Sequence, residues 1–128
     1  MKLSEAALML LIIISPLPAI AEVSELKNPS WKEVPNSTSP NAAEQFNEPA
    51  FVDMNGIVQK DDSIVFDMVN SDVGYARVEV KCSTNQLRSL REGYFKSKTQ
   101  IDYVNKTYPW SDASGAYQKA LMNFFCSL

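Results

Sequence analysis

The chain of 128 residues carries two cysteines, Cys82 and Cys126, and no histidine. A cysteine can act as a nucleophile or redox centre, but only as a thiolate, and histidine is its usual activating base. The two cysteines stand 44 positions apart, outside the C-x-x-C spacing of a redox pair. The absence of histidine also removes the commonest general base and metal ligand. Asp61-Asp62 is a carboxylate pair at an expected hairpin turn. With no third acid at loop spacing it reads as a solvated turn, not a calcium site. No phosphate-cradling or nucleophile-elbow string occurs, and four glycines leave little material for one. The expectation is therefore a chain with no catalytic residues, no cofactor and no metal. Convergent carboxylates would leave no local motif, so a small exported hydrolase is kept as the third function.

The N-terminus decides what the cysteines do. Ala6 to Ile14 is an unbroken apolar run, followed by Ser15, Pro16, Pro18 and the small-x-small triplet Ala19-Ile20-Ala21. This is the layout of a secretory signal cleaved after Ala21, with an uncleaved anchor as the alternative. The apolar run is too short to span a bilayer, which needs about 20 residues. Residues 22–128 then form one domain, folded where thiols oxidise. The localisation expected is export to periplasm, cell surface or medium, and Cys82–Cys126 reads as one structural disulfide. No cysteine sits at the cleavage site, so a lipoprotein anchor is not expected.

Charge is unevenly spread. Glu22 to Ala76 holds ten acids against Lys27, Lys32 and Lys60, whereas Arg77 to Lys106 holds seven bases against Glu79, Glu92 and Asp102. Either the two stretches neutralise each other in the fold, or the basic one faces an acidic partner such as a polysaccharide or an anionic protein patch. Arg88, Arg91, Lys96 and Lys98 are the candidate partner surface. Nucleic acid is not expected, because net charge is −3 and the bases are not interleaved with a stacking set of aromatics.

The elements that must position these residues follow from pattern. Residues 22–49 are rich in Pro, Ser and Asn and read as lead-in and loop, with Trp31–Val34 as a short edge strand. Ser39-Pro40 could cap one or two helical turns through Phe46. Ala50–Asp53 and Ile57–Gln59 flank Asn55-Gly56, a hairpin signal. In Ser63–Val69, Ile64, Phe66 and Met68 point inward, with Val65 and Asp67 outward. Tyr75–Cys82 alternates: Ala76, Val78, Val80 and Cys82 share the core face, and Tyr75, Arg77, Glu79 and Lys81 the other. Weaker strands are expected at Gln86–Arg91, Tyr94-Phe95 and Ile101–Val104. The period then switches. Ser111 or Ser114 caps a helix to about Phe125, whose stripe Tyr117, Ala120, Leu121, Phe124 and Phe125 packs on the sheet. The aromatics Tyr94, Phe95, Tyr103, Tyr108 and Trp110 are core pairs or, where exposed, interface anchors. The fold class is α+β: an antiparallel sheet of about five or six strands, one C-terminal helix and one disulfide.

The order of landmarks carries a resemblance. Trp31, Phe51-Val52-Asp53, a strand ending in Cys82, Leu87-Arg88, Tyr94-Phe95, Trp110, Ser114 and Cys126 follow one another as in the surface-adhesin protein E family of small exported bacterial proteins. The likeness covers about Trp31 to Leu128. It implies a small antiparallel sheet crossed by one helix, a strand-to-helix disulfide at Cys82 and Cys126, and a homodimer as one assembly. It implies binding of host matrix and serum proteins. The family's ligand-contact residues have no matching motif in this sequence.

Three functions follow. The leading one is an exported, non-catalytic binding protein that recognises a protein or polymer by a sheet face or edge. The second is an accessory or structural subunit of an envelope or lumenal complex, and the third is the hydrolase above.

Overall fold

A computed structural model describes residues 22–38, 49–70 and 74–127. The expected signal segment and the helical turns expected at Ser39–Phe46 lie outside the described residues.

The described chain forms one antiparallel sheet of nine strands and one α-helix. The strands are β1 (Glu22–Glu25), β2 (Trp31–Glu33), β3 (Phe51–Asp53), β4 (Val58–Gln59), β5 (Ile64–Val69), β6 (Gly74–Lys81), β7 (Gln86–Phe95), β8 (Gln100–Asn105) and β9 (Ser111–Asp112), and the helix is α1 (Ala116–Cys126). The order across the sheet is β1-β8-β7-β6-β5-β3-β2, with β4 beside β5 and β9 beside β7. The count exceeds the five or six expected because two unforeseen strands form: β1 from the lead-in, pairing with β8, and β9, a two-residue pairing with β7.

One face of the sheet carries the main core. Phe66, Met68, Ala76, Val78, Val80 and Leu87 project onto Ala120, Leu121, Met122 and Phe125 of α1. The Phe66 and Phe125 rings stack at 4.1 Å. The helix thus buries its expected stripe, and Lys119 and Asn123 stay in water. Its N-cap is Gly115, without a side-chain hydrogen bond. Neither serine caps it: Ser111 is held in β9 by its pairing to Leu87, and α1 starts two residues beyond Ser114.

The opposite face is buried too, which corrects the expected solvent face of β5 and β6. Val65, Asp67, Tyr75 and Glu79 are all under a tenth exposed. The cause is curl. Trp31 of edge strand β2 and Phe95 of β7 lie four strands apart, roughly 19 Å in a flat sheet, yet their rings meet edge-to-face at 5.8 Å. Residues 26–30 carry the chain from one sheet edge to the other. They are pinned by Leu26 N to Thr99 O and by Ser30 N to Asp53 Oδ1. The sheet is a half-barrel, and Trp31, Tyr75, Phe95, Ile101 and Tyr103 fill its concave side.

Three local expectations change. Asn55-Gly56 is not a two-residue hairpin turn. Met54–Gly56 is a 3₁₀ turn capped by Asp53, whose Oδ1 accepts from Asn55 N, and β3 and β4 both pair with β5 rather than with each other. Gln86–Phe95 is one continuous strand, with an irregularity where Leu90 is left out of the ladder between Arg77 and Val78. Cys82 falls just past the end of β6 and is exposed instead of core-facing. It bonds Cys126 all the same, with Cα atoms 5.6 Å apart, tying the end of α1 to the end of β6.

Candidate functional site

Register places Asp67, Arg77, Glu79, Arg88 and Arg91 in two cross-strand rows on the concave face. The first row runs Asp67, Arg77, Arg91, Asn105. Arg77 Nη1 donates to Asp67 Oδ2 at 2.7 Å, and the Tyr75 hydroxyl donates to the other carboxylate oxygen. Burial, and the Asp67 carboxylate beside it, push the Tyr75 hydroxyl well above its ordinary titration range. Arg91 Nε donates to Asn105 Oδ1 at 2.8 Å, and its guanidinium lies over the Tyr103 ring at 4.5 Å.

The second row runs Val65, Glu79, Arg88. Arg88 holds Glu79 Oε1 through Nε at 2.9 Å and Nη2 at 2.8 Å, and Ser63 Oγ donates to Oε2 at 2.6 Å. Lys60 lies 3.9 Å from that second oxygen. Trp110 carries both Arg88 and Lys81 against its ring, at 4.2 and 4.8 Å. Burial alone would raise the Glu79 carboxyl, but the Ser63 and Arg88 hydrogen bonds and the Arg88 and Lys60 charges outweigh it, and the group titrates below its ordinary value of 4.5. A depressed native carboxylate stabilises the fold above that ordinary value, and the stabilisation is lost as pH falls through the native one. We therefore expect the melting temperature to fall below about pH 4.5, and Glu79→Gln to remove part of that slope in a pH series of thermal melts.

The candidate partner surface divides. Arg88 and Arg91 share the concave face, although they are three residues apart, because the irregularity at Leu90 shifts the strand's phase between them. Lys96 and Lys98 sit exposed in the β7–β8 hairpin, where Lys96 pairs with Asp102 at 3.8 Å. Asp61 and Asp62 are exposed at the turn before β5, and Asp62 accepts from Ser83 Oγ at 3.2 Å. Among the described residues no cluster of three or more metal-ligating side chains occurs, and no helix is long and apolar enough to cross a membrane.

On the helix side a groove of about 1010 Å³ opens beside α1. The helix covers the β5 side of the sheet, where Tyr117 Oη reaches Met68 Sδ at 3.8 Å, and leaves part of β6 and β7 uncovered. Ala76, Val78, Leu87 and Ser89 line the sheet side of the groove, Tyr117, Gln118 and Leu121 one wall, and Tyr108 to Ser111 the other. That outer wall is fastened by Tyr108 N to Ser89 O and by the Tyr108 hydroxyl to Glu92 Oε2 at 2.9 Å. Sequence reasoning missed the groove, since its parts come from three distant segments. The one available signal was the aromatic cluster Tyr108–Trp110.

Fold and site thus define a disulfide-stapled half-barrel with one helix and an open helix–sheet groove. Comparison with family models, curated proteins and solved structures finds no match for the chain.

Proposed function

We propose that the protein is an exported, non-catalytic binding protein, and that a protein partner seats an apolar anchor in the groove beside α1. The groove itself is the observation that carries this reading. It combines an apolar floor, aromatic walls and two polar residues, Ser89 and Gln118, able to fix orientation. Anchors of this kind dominate interface energetics. The acids best placed for chemistry are otherwise engaged: Asp67 and Glu79 face away from the groove and are held by arginines, and Glu92 is bonded to Tyr108. The resemblance to surface-adhesin protein E points to a host matrix or serum protein as the partner. The disulfide is compatible with an oxidising compartment.

Ser89→Phe tests the reading by filling the groove floor while leaving the main core intact. Partners are captured by crosslinking in the native cell and identified by mass spectrometry, then measured with purified proteins. The expected result is a loss of affinity of at least tenfold, about 1.4 kcal/mol, with an unchanged melting temperature. Unaltered affinity for a validated partner would remove the groove from the interface.

A further inference from the structure

The groove beside α1 holds a donor that the fold leaves with a poor acceptor. Tyr117, in the first turn of α1, carries its hydroxyl to the buried β5 side of the groove. Among the described residues its acceptor there is the Met68 sulfur, at 3.8 Å. A thioether accepts weakly, whereas a carbonyl oxygen would hold the same proton at about 2.8 Å. Burial by itself lifts the hydroxyl far above its ordinary titration range, so it stays a neutral donor at any working pH. The other uncommitted polar groups of the groove are neutral as well. The Ser89 hydroxyl and the Gln118 amide line it without a hydrogen bond among the described residues. The two charged lining residues are already engaged: Arg88 forks onto Glu79, and Glu92 accepts from Tyr108. A charged ligand would therefore find no unpaired opposite charge in the groove. A neutral acceptor beside an apolar body would find both a donor and the floor of Ala76, Val78 and Leu87.

We propose that the Tyr117 hydroxyl is the recognition donor of the groove, and that it takes a main-chain carbonyl from an extended apolar segment of the protein partner. The inference rests on the groove being the partner site. An extended segment alternates side chains with unpaired main-chain groups. One apolar side chain can lie on the floor while the neighbouring carbonyl reaches Tyr117, at the cost of a weak bond to sulfur. The Gln118 amide, with donors and an acceptor of its own, suits a further peptide unit. A saccharide would need many hydrogen bonds from a floor whose side chains have none to give.

The test follows the Met68 methyl signal in the disulfide-bonded protein labelled with [methyl-13C]methionine, identified by its loss in Met68→Leu. Four probes are titrated. Acetophenone carries a carbonyl, and α-methylstyrene has the same shape with a methylene in place of that oxygen. N-acetyl-leucine N-methylamide stands for the peptide and maltose for a saccharide. Acetophenone, α-methylstyrene and the amide should shift the signal. Tyr117→Phe should weaken acetophenone and the amide about fivefold, the ordinary net worth of one neutral hydrogen bond. It should leave α-methylstyrene and the melting temperature unchanged. Equal effects of Tyr117→Phe on acetophenone and α-methylstyrene would overturn the donor while leaving the groove standing. No shift of Met68 with any probe would remove the groove as a partner site, and the inference with it. A response to maltose and none to the amide would overturn the ligand class. Should Tyr117→Phe not fold, Met68→Leu, a volume-conserving change, carries the test at the Leu121 amide signal. Freed from sulfur, the hydroxyl should then hold acetophenone more tightly and α-methylstyrene no better, and an equal change in both would overturn the donor.

Discussion

Gly93→Ala is expected to cost about 3 kcal/mol or more, at the upper end for overpacking a well-filled site. A Cβ at Gly93 would lie 1.9 Å from the carbonyl oxygen of Asp102 and 2.7 Å from the Cα of Tyr103. Both are backbone atoms of β8, so no rotamer change relieves the overlap; β7 and β8 would have to part. The position matters to the whole concave side. Gly93 is the register partner of Tyr75 on one side and of Tyr103 on the other, and the two rings meet over it with centroids 6.2 Å apart. Separating β8 would disturb Tyr103 under Arg91 and the Tyr75 bond to Asp67, leaving buried polar groups short of partners. Urea denaturation of the wild type and the alanine variant, with the slope checked for constancy, measures the loss. A cost below about 1 kcal/mol would mean that the strands are not packed so closely. Gly74→Ala offers the contrast. Its added Cβ would meet the side chain of Asn70, at 2.9 Å, and a side chain can move where a backbone cannot.

The same concave side shows where sequence reasoning stops. Alternation in Tyr75–Lys81 placed Ala76, Val78 and Val80 on the core face, because burial on one face of a strand leaves a period of two. The change to helical period marked α1 and its stripe, and two cysteines in a chain expected to be exported pointed to the bridge. Those signals are local or a matter of counting. Val65 and Asp67 read as outward because they alternate with Ile64, Phe66 and Met68, and Glu79 because it alternates with Val78 and Val80. What buries them is a curl set by Trp31 meeting Phe95, 64 positions away, and no local pattern records such a contact. The phase shift at Leu90 is equally silent, yet it decides that Arg88 and Arg91 point the same way. Asn55-Gly56 shows the converse error. The dipeptide suits a tight hairpin, but Asp53, committed to Asn55 N and Ser30 N, holds a 3₁₀ turn instead. The groove needed the helix, β7 and residues 108–111 brought together, so only its aromatic wall was in view beforehand.

Replacing both cysteines by serine is expected to cost about 4 kcal/mol on the chain-entropy model, because the bridge closes a separation of 44 residues. For a domain of this length that corresponds to a fall in melting temperature of roughly 20 °C. Both sulfurs belong to exposed residues, so their removal opens little apolar core, and the loss should come chiefly from the freed unfolded chain. The native effect should be local. α1 is otherwise held by Ala120, Leu121, Met122 and Phe125, only the last of them in its final turn, so its C-terminal turn should lose amide protection first while β6 and β7 keep theirs. The groove gives this a functional reading. Its helix wall is Tyr117, Gln118 and Leu121, toward the N-terminal half of α1 and away from the bridge. Partner affinity should therefore fall less than stability does, provided binding is measured well below the new melting temperature. A double-serine variant with an unchanged melting temperature would show that packing alone fixes the helix. One that stays folded but no longer binds would show that the groove depends on the staple at the far end of α1.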